Sequence, residues 1–370
     1  MTSVLVTGAA GFIGANLLEA LRRRTDLELT GLDRQDAPGA LDEALSSADV
    51  VYHLAGVNRP SDDAEFGQVN EGLTRHVVAT LERLRRAPTF VFTSSTQAEL
   101  DNPYGRSKRN AEDVLRAWAG RAGARLAVYR LPGVFGKWCP PNYNSVVATF
   151  CHNCARDLPC TVNDPARKLT LVYVGDVVDA FLGHLDAPPA TGACTVEPVF
   201  QTTVGGLFAA IQKFRGHRNT LQLPDLSDPF LRRLYSTYVS HLPADALAYP
   251  LPRRDDARGA LAEFLKSPSV GQVFLSRTHP GITRGNHYHD SKTEKFLVVE
   301  GDAVISFRHR VTGETVRYPV TGSEFRVVDI PPGWAHNITN VGDRELIVLF
   351  WASEPFDPAH PDTFPADAGS

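Results

Sequence analysis

A tyrosine and a lysine four residues apart are the first pair in this sequence with clear chemical potential. Tyr104 and Lys108 belong to the stretch Tyr-Gly-Arg-Ser-Lys, and on a helix this spacing puts both side chains on one face. A tyrosine with a pKa near ~10 is a weak acid at neutral pH unless a nearby cation favours its phenolate. Lys108 would supply that cation, and a hydroxyl within the upstream stretch Thr93-Ser-Ser-Thr96 could steady a carbonyl oxygen. These residues predict a site that protonates a carbonyl group as it is reduced.

Three glycines near the N-terminus predict a dinucleotide site. Gly8, Gly11 and Gly14 follow a short apolar run and open a helical pattern that includes Phe12 and Ile13. The first two glycines would allow a tight turn and a close approach to a pyrophosphate, and the third would allow close packing of helix on strand. The N-terminus of that helix would face the anion.

The end of the second predicted strand gives two conflicting indications about the cofactor. Asp33 could accept a hydrogen bond from an adenosine 2′-hydroxyl, as in NAD enzymes, whereas Arg34 could pair with the 2′-phosphate of NADP. We expect NADP(H), because the arginine is adjacent and the reaction implied below is biosynthetic.

A second group of chemical residues lies in the C-terminal half. His287 and His289 alternate on a predicted strand, Glu294 opens the next strand, and His336 arrives from a distant one. Three imidazoles and one carboxylate suit Zn²⁺, and less specifically other divalent transition metals. Acids or bases near such a metal could be Tyr288, Lys295 or His309, although a packing or surface role is the commoner one for each.

Four cysteines form a looser cluster that could be interpreted as a rival metal site. They lie between residues 139 and 160 and are accompanied by His152. Their spacing fits no standard ligand pattern, and part of the segment has a helical pattern. We therefore expect structural cysteines. The cluster comprises Cys139, Cys151, Cys154 and Cys160.

The elements that must position these residues change character along the chain. Apolar runs at 4–7, 29–32, 50–53, 90–94 and 126–130 alternate with helical patterns such as 16–24 and 71–86. This alternation predicts an α/β, Rossmann-type, doubly wound parallel sheet. Later runs at 261–265, 270–276, 295–299, 303–308, 315–320, 325–330 and 346–351 predict an all-β domain.

The proline- and charge-rich stretch between these two patterns predicts the domain boundary. We expect a first domain over residues 1–243, a linker over 244–256 and a second domain over 257–370. The last five residues, 366–370, are expected to be frayed.

Composition and charge exclude several classes of protein. The 370 residues are 43% hydrophobic and 22% charged, as in globular proteins, and the formal net charge is −4. We therefore expect no nucleic-acid partner. Apolar runs fall short of the ~20 residues of a membrane span, so we expect no membrane partner and no N-terminal targeting segment. An odd number of cysteines, five, indicates a reduced cytoplasm.

Residues 1–240 resemble the extended short-chain dehydrogenase/reductase family. The resemblance rests on the glycine loop, on His53-Leu54-Ala55-Gly56, on Ser94-Ser95, on Tyr104 with Lys108, and on Val174-Gly-Asp176. It implies that Ser95, Tyr104 and Lys108 are a catalytic triad and that residues 53–56 flank the cofactor. The eight residues between Ser95 and Tyr104 are fewer than the family usually has, which predicts a trimmed loop over the substrate.

The C-terminal half resembles the cupin family, which implies a small jelly-roll barrel with the metal in its mouth. Its first motif runs from Gly281 through the two histidines and Glu294 to Gly301, and its second includes His336 and Asn340.

The two halves in this order resemble the bifunctional capsular polysaccharide enzymes of the UDP-N-acetyl-L-fucosamine pathway. Matching stretches, among them 53–60, 135–139, 141–146 and 294–299, spread over nearly the whole chain. The resemblance implies a homodimer and a UDP-sugar substrate. The cupin would epimerise C3 of a UDP-2-acetamido-2,6-dideoxy-4-keto-hexose, and the reductase would use NADPH to reduce C4, giving the L-talose derivative.

Six further polar residues could contact the nucleotide sugar through its diphosphate and hydroxyls. They are Asn58, Arg59, Asn70, Lys137, Asn142 and Asn144. Two alternatives stay open at this point. The same chemistry could act on another dTDP- or UDP-keto-sugar, or the chain could be a non-catalytic sensor that binds sugar and cofactor.

Overall fold

The apolar runs of the N-terminal half form a parallel sheet in the computed structural model, which describes residues 1–187, 189 and 191–369. Its central strands are continuously apolar because helices cover both faces. Along the chain the strands of this half are β1 (Thr2–Thr7), β2 (Leu27–Leu32), β3 (Val50–His53), β4 (Thr89–Ser95), β5 (Leu126–Leu131), β6 (Gly133–Phe135), β7 (Lys168–Tyr173), β8 (Gly192–Cys194) and β9 (Val199–Thr203). Within the described residues, the main sheet has the order β2-β1-β3-β4-β5-β8, and β6, β7 and β9 form a smaller one.

Helices alternate with these strands and bury one apolar cluster on each face of the sheet. They are α1 (Phe12–Leu21), α2 (Ala40–Ser47), α3 (Leu73–Leu84), α4 (Pro103–Ala122), α5 (Val146–Cys154), α6 (Val174–Asp186), α7 (Val204–Thr220) and α8 (Pro229–Ser240). Phe181 packs with Tyr52 in one cluster, and Trp118 packs with Phe90 in the other. A π-helical turn, Phe66–Gly72, precedes α3, so the predicted helix 71–86 is a composite of two elements.

Local sequence signals explain where α1 and α4 begin. Helix α1 begins directly after the N-cap residue Gly11, four residues earlier than predicted from its apolar pattern. Asn102 caps α4, because its side chain accepts a hydrogen bond from the Gly105 N–H at 2.7 Å, and Pro103 occupies the first turn. Helix α1 follows the parallel strand β1 and α4 follows β4. Both helices thus begin on the side of the carboxyl ends of the strands, where α/β proteins bind ligands.

The C-terminal half forms two antiparallel sheets, as predicted for a jelly roll. Its strands are β10 (Arg253–Asp256), β11 (Gly259–Ser267), β12 (Gly271–Thr278), β13 (Thr283–Tyr288), β14 (Glu294–Glu300), β15 (Asp302–His309), β16 (Thr315–Thr321), β17 (Val327–Ile330), β18 (Trp334–Asn340), β19 (Leu346–Ala352) and β20 (Phe364–Pro365). Among the described residues, one sheet has the order β10-β11-β12-β19-β14-β17 and the other β16-β15-β18-β13-β20. Alternate residues of β19 are buried, which is typical of a strand with one face on a core. The predicted fold class, a Rossmann-type domain followed by an all-β domain, is confirmed.

Internal contacts divide the chain into two units. Unit 1 comprises Met1–Gln212 and Arg233–Pro243, and unit 2 comprises Lys213–Arg232 and Ala244–Ser370. The last four residues of the predicted linker form β10, which pairs with β11. The exact domain boundaries stay a prediction. Within the described part of the chain, no helix combines the length and apolar content needed to cross a bilayer.

The C-terminal tail differs from its predicted frayed state over the residues that the structure describes. The Ala366 N–H donates a hydrogen bond to the Asn286 carbonyl at 2.9 Å, and Ala368 is buried. The tail is therefore held by backbone pairing with β13, which no local sequence pattern indicates. Ser370, the last residue of the expected frayed segment, lies outside the described residues.

Candidate functional site

The glycine loop between β1 and α1 has the geometry expected for a pyrophosphate cradle. Gly8 has a φ of +71°, and a Cβ on it would lie 2.8 Å from the backbone of Ala55. A Cβ on Gly14 would lie 2.1 Å from the Gly8 carbonyl oxygen. Neither position therefore admits a side chain, and the N-terminus of α1, with Phe12 and Ile13 in its first turn, opens directly from the loop. These residues fit a dinucleotide.

Asp33 lies against this loop, whereas the side chain of Arg34 is exposed. The Asp33 carboxylate accepts a hydrogen bond from the Ala10 N–H at 2.7 Å, and the Asp33 N–H donates to Asp36 at 2.6 Å. A carboxylate at the end of β2 is thus fixed beside the loop, while Arg34 keeps conformational freedom. Both predicted residues lie where an adenosine ribose binds in Rossmann-type folds.

His53, at the end of β3, is buried and holds the strand next to the loop. Its Nδ1 hydrogen-bonds with the Thr7 hydroxyl at 2.8 Å and its Nε2 with the Thr74 hydroxyl at 3.1 Å. Burial, reinforced by the charge of Lys108, lowers the pKa of His53 to about 3, so the ring is neutral. The following residues Leu54 and Ala55 pass beneath Gly8, because the Leu54 N–H donates to the Thr7 carbonyl at 3.1 Å.

The structure brings Ser95, Tyr104 and Lys108 together at the end of β4. Ser95 hydrogen-bonds with Tyr104, and the Lys108 ammonium donates to the Thr93 carbonyl at 3.0 Å. A Cβ on Gly56 would meet the Lys108 Nζ at 3.1 Å, so the lysine also lies against the loop that follows β3. Tyr104 and Lys108 share one face of α4, as their spacing predicts.

The electrostatics of this triad differ from the expectation in one respect. Burial raises the pKa of Tyr104 and outweighs the Ser95 hydrogen bond, which lowers it. Burial lowers the pKa of Lys108 to about 8, against the charge of Glu112, which raises it. The predicted lowering of the tyrosine pKa by Lys108 is therefore not found, because desolvation of the phenolate dominates.

Glu112 is a charged residue of this site that the sequence analysis missed. It lies one helical turn beyond Lys108, its side chain is fully buried, and it accepts hydrogen bonds from Ser94 and Arg130. Arg116 binds the same carboxylate at 2.8 Å. The repeated spacing of four residues from Tyr104 through Lys108 to Glu112 was a signal that could have identified it.

The predicted substrate residues divide into separate groups. The Arg59 guanidinium donates a hydrogen bond to the Tyr143 carbonyl, which brings it to the exposed segment that contains Asn142 and Asn144. Asn58, next to Arg59, is exposed as well.

Asn70 and Lys137, by contrast, already have partners within unit 1. The Asn70 amide accepts from the Val57 N–H at 2.8 Å and donates to Ser107 at 3.0 Å, so it shapes the loop after β3. Lys137 donates to the Asn16 side chain on α1, and its ammonium lies 4.3 Å from the Trp138 ring centroid. The substrate roles of all six residues stay predictions.

The four predicted metal ligands converge in unit 2. One donor atom from each of His287, His289, Glu294 and His336 lies within 4.8 Å of every other. Strand register explains part of this convergence, since His287 on β13 pairs with His336 on β18. The two histidines were predicted to lie on one strand. Strand β13 ends at Tyr288, so His287 lies on it and His289 lies one residue beyond its end.

Three buried atoms in this cluster face one another and, within the described part of the chain, have no partner with hydrogen-bond geometry. They are the Nε2 atoms of His289 and His336 and the Oε2 atom of Glu294, with separations of 3.2 and 3.4 Å from the carboxylate. The Nδ1 atoms of the two rings donate to the carbonyls of Asp362 and Trp334, which leaves both Nε2 lone pairs directed at the cluster. Buried nitrogen and oxygen atoms whose lone pairs are not used in hydrogen bonds are suitable ligands for a divalent metal ion.

Glu294 and His287 are held in the charge state that a metal requires, whereas for His289 the effect of burial is outweighed by the adjacent Glu294, which raises the pKa of that ring. Burial raises the pKa of Glu294, but the adjacent His289 and His336 rings more than offset this and lower it to about 2. Burial lowers the pKa of His287 to about 4, helped by the two neighbouring histidines. An ionised carboxylate and a neutral imidazole are the ligand forms that bind metals.

The three residues considered as acids or bases near the metal do not join the four ligand side chains. Tyr288 packs against Phe364 with the two rings tilted, and strand alternation turns it away from His287. Lys295 is half exposed and pairs with Asp329. The Nδ1 of His309 accepts hydrogen bonds from its own turn, at 3.3 and 3.1 Å.

The cysteine cluster lacks the geometry of a metal site. Cys139, Cys151 and Cys154 are buried, and the Cys154 and Cys160 sulfurs are 3.7 Å apart. Of the side chains that the structure describes, only the histidine–glutamate group has its ligand atoms within mutual reach. Burial raises the pKa of Cys151, as for a structural thiol.

Comparisons with known proteins agree with both halves of this geometry. Residues 4–193 match the NAD dependent epimerase/dehydratase family, and residues 254–364 match the polysaccharide biosynthesis C-terminal domain. A UDP-2-acetamido-2,6-beta-L-arabino-hexul-4-ose reductase from Pseudomonas aeruginosa is 44% identical over 367 residues, 99% of each chain. The capsular polysaccharide assembling protein CapF from Staphylococcus aureus superposes with a TM-score of 0.91 at 44% identity, covering 98% of this chain and 99% of that one.

These matches cover both domains at once, so the resemblance inferred from the sequence is confirmed. The chain belongs to the NAD dependent epimerase/dehydratase family, and over nearly its whole length it is similar to the Pseudomonas reductase and to CapF.

Proposed function

We propose that this chain is a bifunctional enzyme that acts on a UDP-2-acetamido-2,6-dideoxy-4-keto-hexose. Unit 2 epimerises the sugar at C3, and unit 1 reduces the C4 ketone to give UDP-2-acetamido-2,6-dideoxy-L-talose. The observation that carries the proposal is the presence, in one chain, of the Ser95–Tyr104–Lys108 group and a four-residue metal-type cluster. The 44% identity to a UDP-linked 4-ketose reductase supports the substrate class.

In the reduction, Tyr104 donates a proton to the C4 oxygen of the sugar. Ser95 hydrogen-bonds with the tyrosine and is placed to donate to the same oxygen. Lys108 is held by the Thr93 carbonyl and keeps a positive charge near the phenol, which favours proton release as the reaction proceeds. A reduced nicotinamide supplies the hydride when it is bound at the glycine loop.

In the epimerisation, the four residues of unit 2 hold a divalent ion, for which we propose Zn²⁺. His289 and His336 present Nε2, and Glu294 presents its buried Oε2. Such an ion supplies Lewis acidity, which polarises a ketone and acidifies the adjacent C–H bond. A mixed set of three imidazoles and one carboxylate suits zinc.

For the cofactor we propose NADP(H). The exposed Arg34 is free to pair with a 2′-phosphate. Asp33 already accepts a hydrogen bond from Ala10, so its charge is partly neutralised by the loop. Steady-state rates with NADPH and NADH test this choice, and a strong preference for NADH would reject it.

Sugar and diphosphate contacts are assigned to the six predicted polar residues. Arg59 lies beside the segment that contains Asn142 and Asn144, so these three would act together. We further propose a homodimer in the cytoplasm, where cysteines such as the five of this chain stay reduced.

One experiment tests the two reactions together. The full chain is incubated with the UDP-linked 4-keto sugar and NADPH in D₂O, and the product is examined by NMR. We expect one deuterium at C3, inverted C3 stereochemistry and an alcohol at C4. Turnover of only a dTDP- or different UDP-keto-sugar would change the substrate assignment, and no turnover of any keto-sugar would reject an enzymatic role.

A further inference from the structure

The C-terminal tail lies along the strand that carries the first metal-type histidine. Strand β20 pairs with β13, so that Pro365 lies opposite His287 and Phe364 opposite Tyr288. Phe364 and Pro365 are both exposed, and the tail therefore gains little from apolar burial at this point. Hydrogen bonds must therefore contribute most of the free energy that holds the tail against β13.

Asp362, two residues before β20, makes an unusual number of these hydrogen bonds. Its carboxylate accepts from the N–H groups of Asp290, Ser291 and Lys292, at 2.8, 3.1 and 2.8 Å. The Ser291 hydroxyl adds a fourth hydrogen bond at 2.9 Å. One side chain thus binds three consecutive backbone donors in the loop that connects His289 to Glu294.

The backbone of Asp362 contacts the cluster directly. Its carbonyl oxygen accepts the hydrogen bond from Nδ1 of His289, whose Nε2 is one of the three unpaired buried atoms. Asp362 has a φ of +33°, a left-handed conformation that a non-glycine residue adopts only when its surroundings hold it there. The four hydrogen bonds to its carboxylate provide that restraint.

We propose that Asp362, in the C-terminal tail, is a positioning residue of the metal centre, which fixes the tautomer and orientation of His289. This inference rests on the proposed metal site. Its side chain anchors the loop between two ligands, and its carbonyl fixes the proton on Nδ1 so that Nε2 is free for the metal. Partners of this kind contribute to metal affinity even though they do not contact the ion.

The test is the Zn²⁺ affinity of the full chain and its Asp362→Asn variant, measured by competition with a chromophoric chelator at fixed pH. The amide that replaces the carboxylate places an N–H₂ group among backbone donors and removes the charge. We expect an affinity about 10- to 100-fold lower in the variant. A purely structural role would lower the stability of the metal-free chain and leave the intrinsic affinity of the folded protein unchanged.

A matched control lies in the same tail. Asp367 is exposed, accepts from the Gly369 N–H at 2.9 Å and pairs with Arg308, but does not touch the ligand loop. Asp367→Asn is expected to bind Zn²⁺ with unchanged affinity. If Asp362→Asn fails to fold, Ser291→Ala removes only one of the four hydrogen bonds, and we expect an affinity about threefold to tenfold lower.

The possible outcomes separate this inference from the proposed function. Zn²⁺ affinities within twofold of each other for the unsubstituted chain and Asp362→Asn would overturn the role of Asp362 while leaving the metal site intact. An unchanged affinity in Ser291→Ala, when Asp362→Asn does not fold, would overturn it too. If the unsubstituted chain binds no Zn²⁺, the proposed metal site itself is wrong, and the positioning role falls with it.

Discussion

Glu112 and Arg130 form a two-point ion pair, with Nε at 2.9 Å from one carboxylate oxygen and Nη2 at 2.8 Å from the other. The Glu112 side chain is fully buried, whereas that of Arg130 is about one-third exposed, at 32%. Because Arg116 binds the same carboxylate, two guanidinium groups converge on one buried charge next to Lys108. Glu112 thus shields the lysine from two cations and ties the end of β4 to α4 through Ser94.

Replacement of this carboxylate is expected to cost stability. Glu112→Gln leaves Arg130 and Arg116 without their shared negative partner, and we expect a free energy of unfolding lower by about 2–4 kcal/mol. Denaturant unfolding of the full chain measures it. Asp113→Asn is the control, because its side chain is 69% exposed and its contact with Arg116 is 3.6 Å, so a loss below about 0.5 kcal/mol is expected. Equal decreases in the free energy of unfolding for both variants would contradict the expectation that the Glu112 carboxylate contributes more because it is buried.

The reductase rate is expected to fall at alkaline pH. The pKa of Lys108 is lowered to about 8 by burial, so this cation loses its proton as the pH rises through that value. We expect kcat/KM for ketone reduction to be flat below pH 8 and to fall about tenfold per pH unit above it. Because Glu112 raises the pKa of Lys108, the falling limb should move to lower pH in Glu112→Gln. A pH profile of NADPH oxidation measures both, and an unmoved limb would show that Glu112 does not act on Lys108.

The lowered pKa of Lys108 also affects the stability of the chain, which is expected to rise over the pH range in which the activity falls. An unfolded lysine titrates at ~10.4, so below about pH 8, where Lys108 is protonated in both states, burial of its charge destabilises the folded state relative to the unfolded one. This penalty is complete below the folded pKa and disappears as the pH rises through the unfolded one. Between these values the free energy of unfolding should gain a favourable contribution from Lys108 while the activity is lost.

Local patterns were sufficient to predict much of the fold and part of the site. The glycine loop, the apolar strands and the Tyr104–Lys108 spacing each depend on residues within one strand–turn–helix segment, where periodicity is informative. The metal-type histidines were identified from their residue types and spacing, to which the cupin resemblance added support, and strand register brings His287 and His336 together.

Interactions between segments that are far apart in the sequence could not be predicted from local patterns. Asp362 is 73 residues from His289, and nothing in the tail sequence indicates that its carbonyl would meet an imidazole. The direction of the Tyr104 pKa shift depends on how deeply the phenol is buried, which spacing alone does not give. The occupation of Asn70 by internal hydrogen bonds likewise depends on the π-helical turn that carries it.

Loss of the Tyr104 hydroxyl is expected to separate the two activities. In Tyr104→Phe the proton donor for the C4 oxygen is missing, and we expect NADPH oxidation to fall by about 10²- to 10⁴-fold. Deuterium exchange at C3, which depends on residues of unit 2, should continue at its normal rate in D₂O. Tyr318→Phe is the control for both assays, because Tyr318 is an exposed tyrosine on β16 that packs against Phe307. Loss of both activities in Tyr104→Phe would contradict separate sites.

Loss of a metal ligand is expected to have the reverse effect. His336 is fully buried, and His336→Ala removes one of the Nε2 atoms that face Glu294, leaving the carboxylate with fewer partners. We expect metal content, measured by elemental analysis, to drop well below one ion per chain and C3 exchange to stop. Reduction of a ketone that needs no epimerisation should persist. His360→Ala, with a side chain that is 87% exposed, should retain both the ion and the exchange. If His336→Ala has lost the metal but still exchanges the C3 proton for deuterium at the normal rate, any ion bound here has a structural role and does not assist removal of that proton.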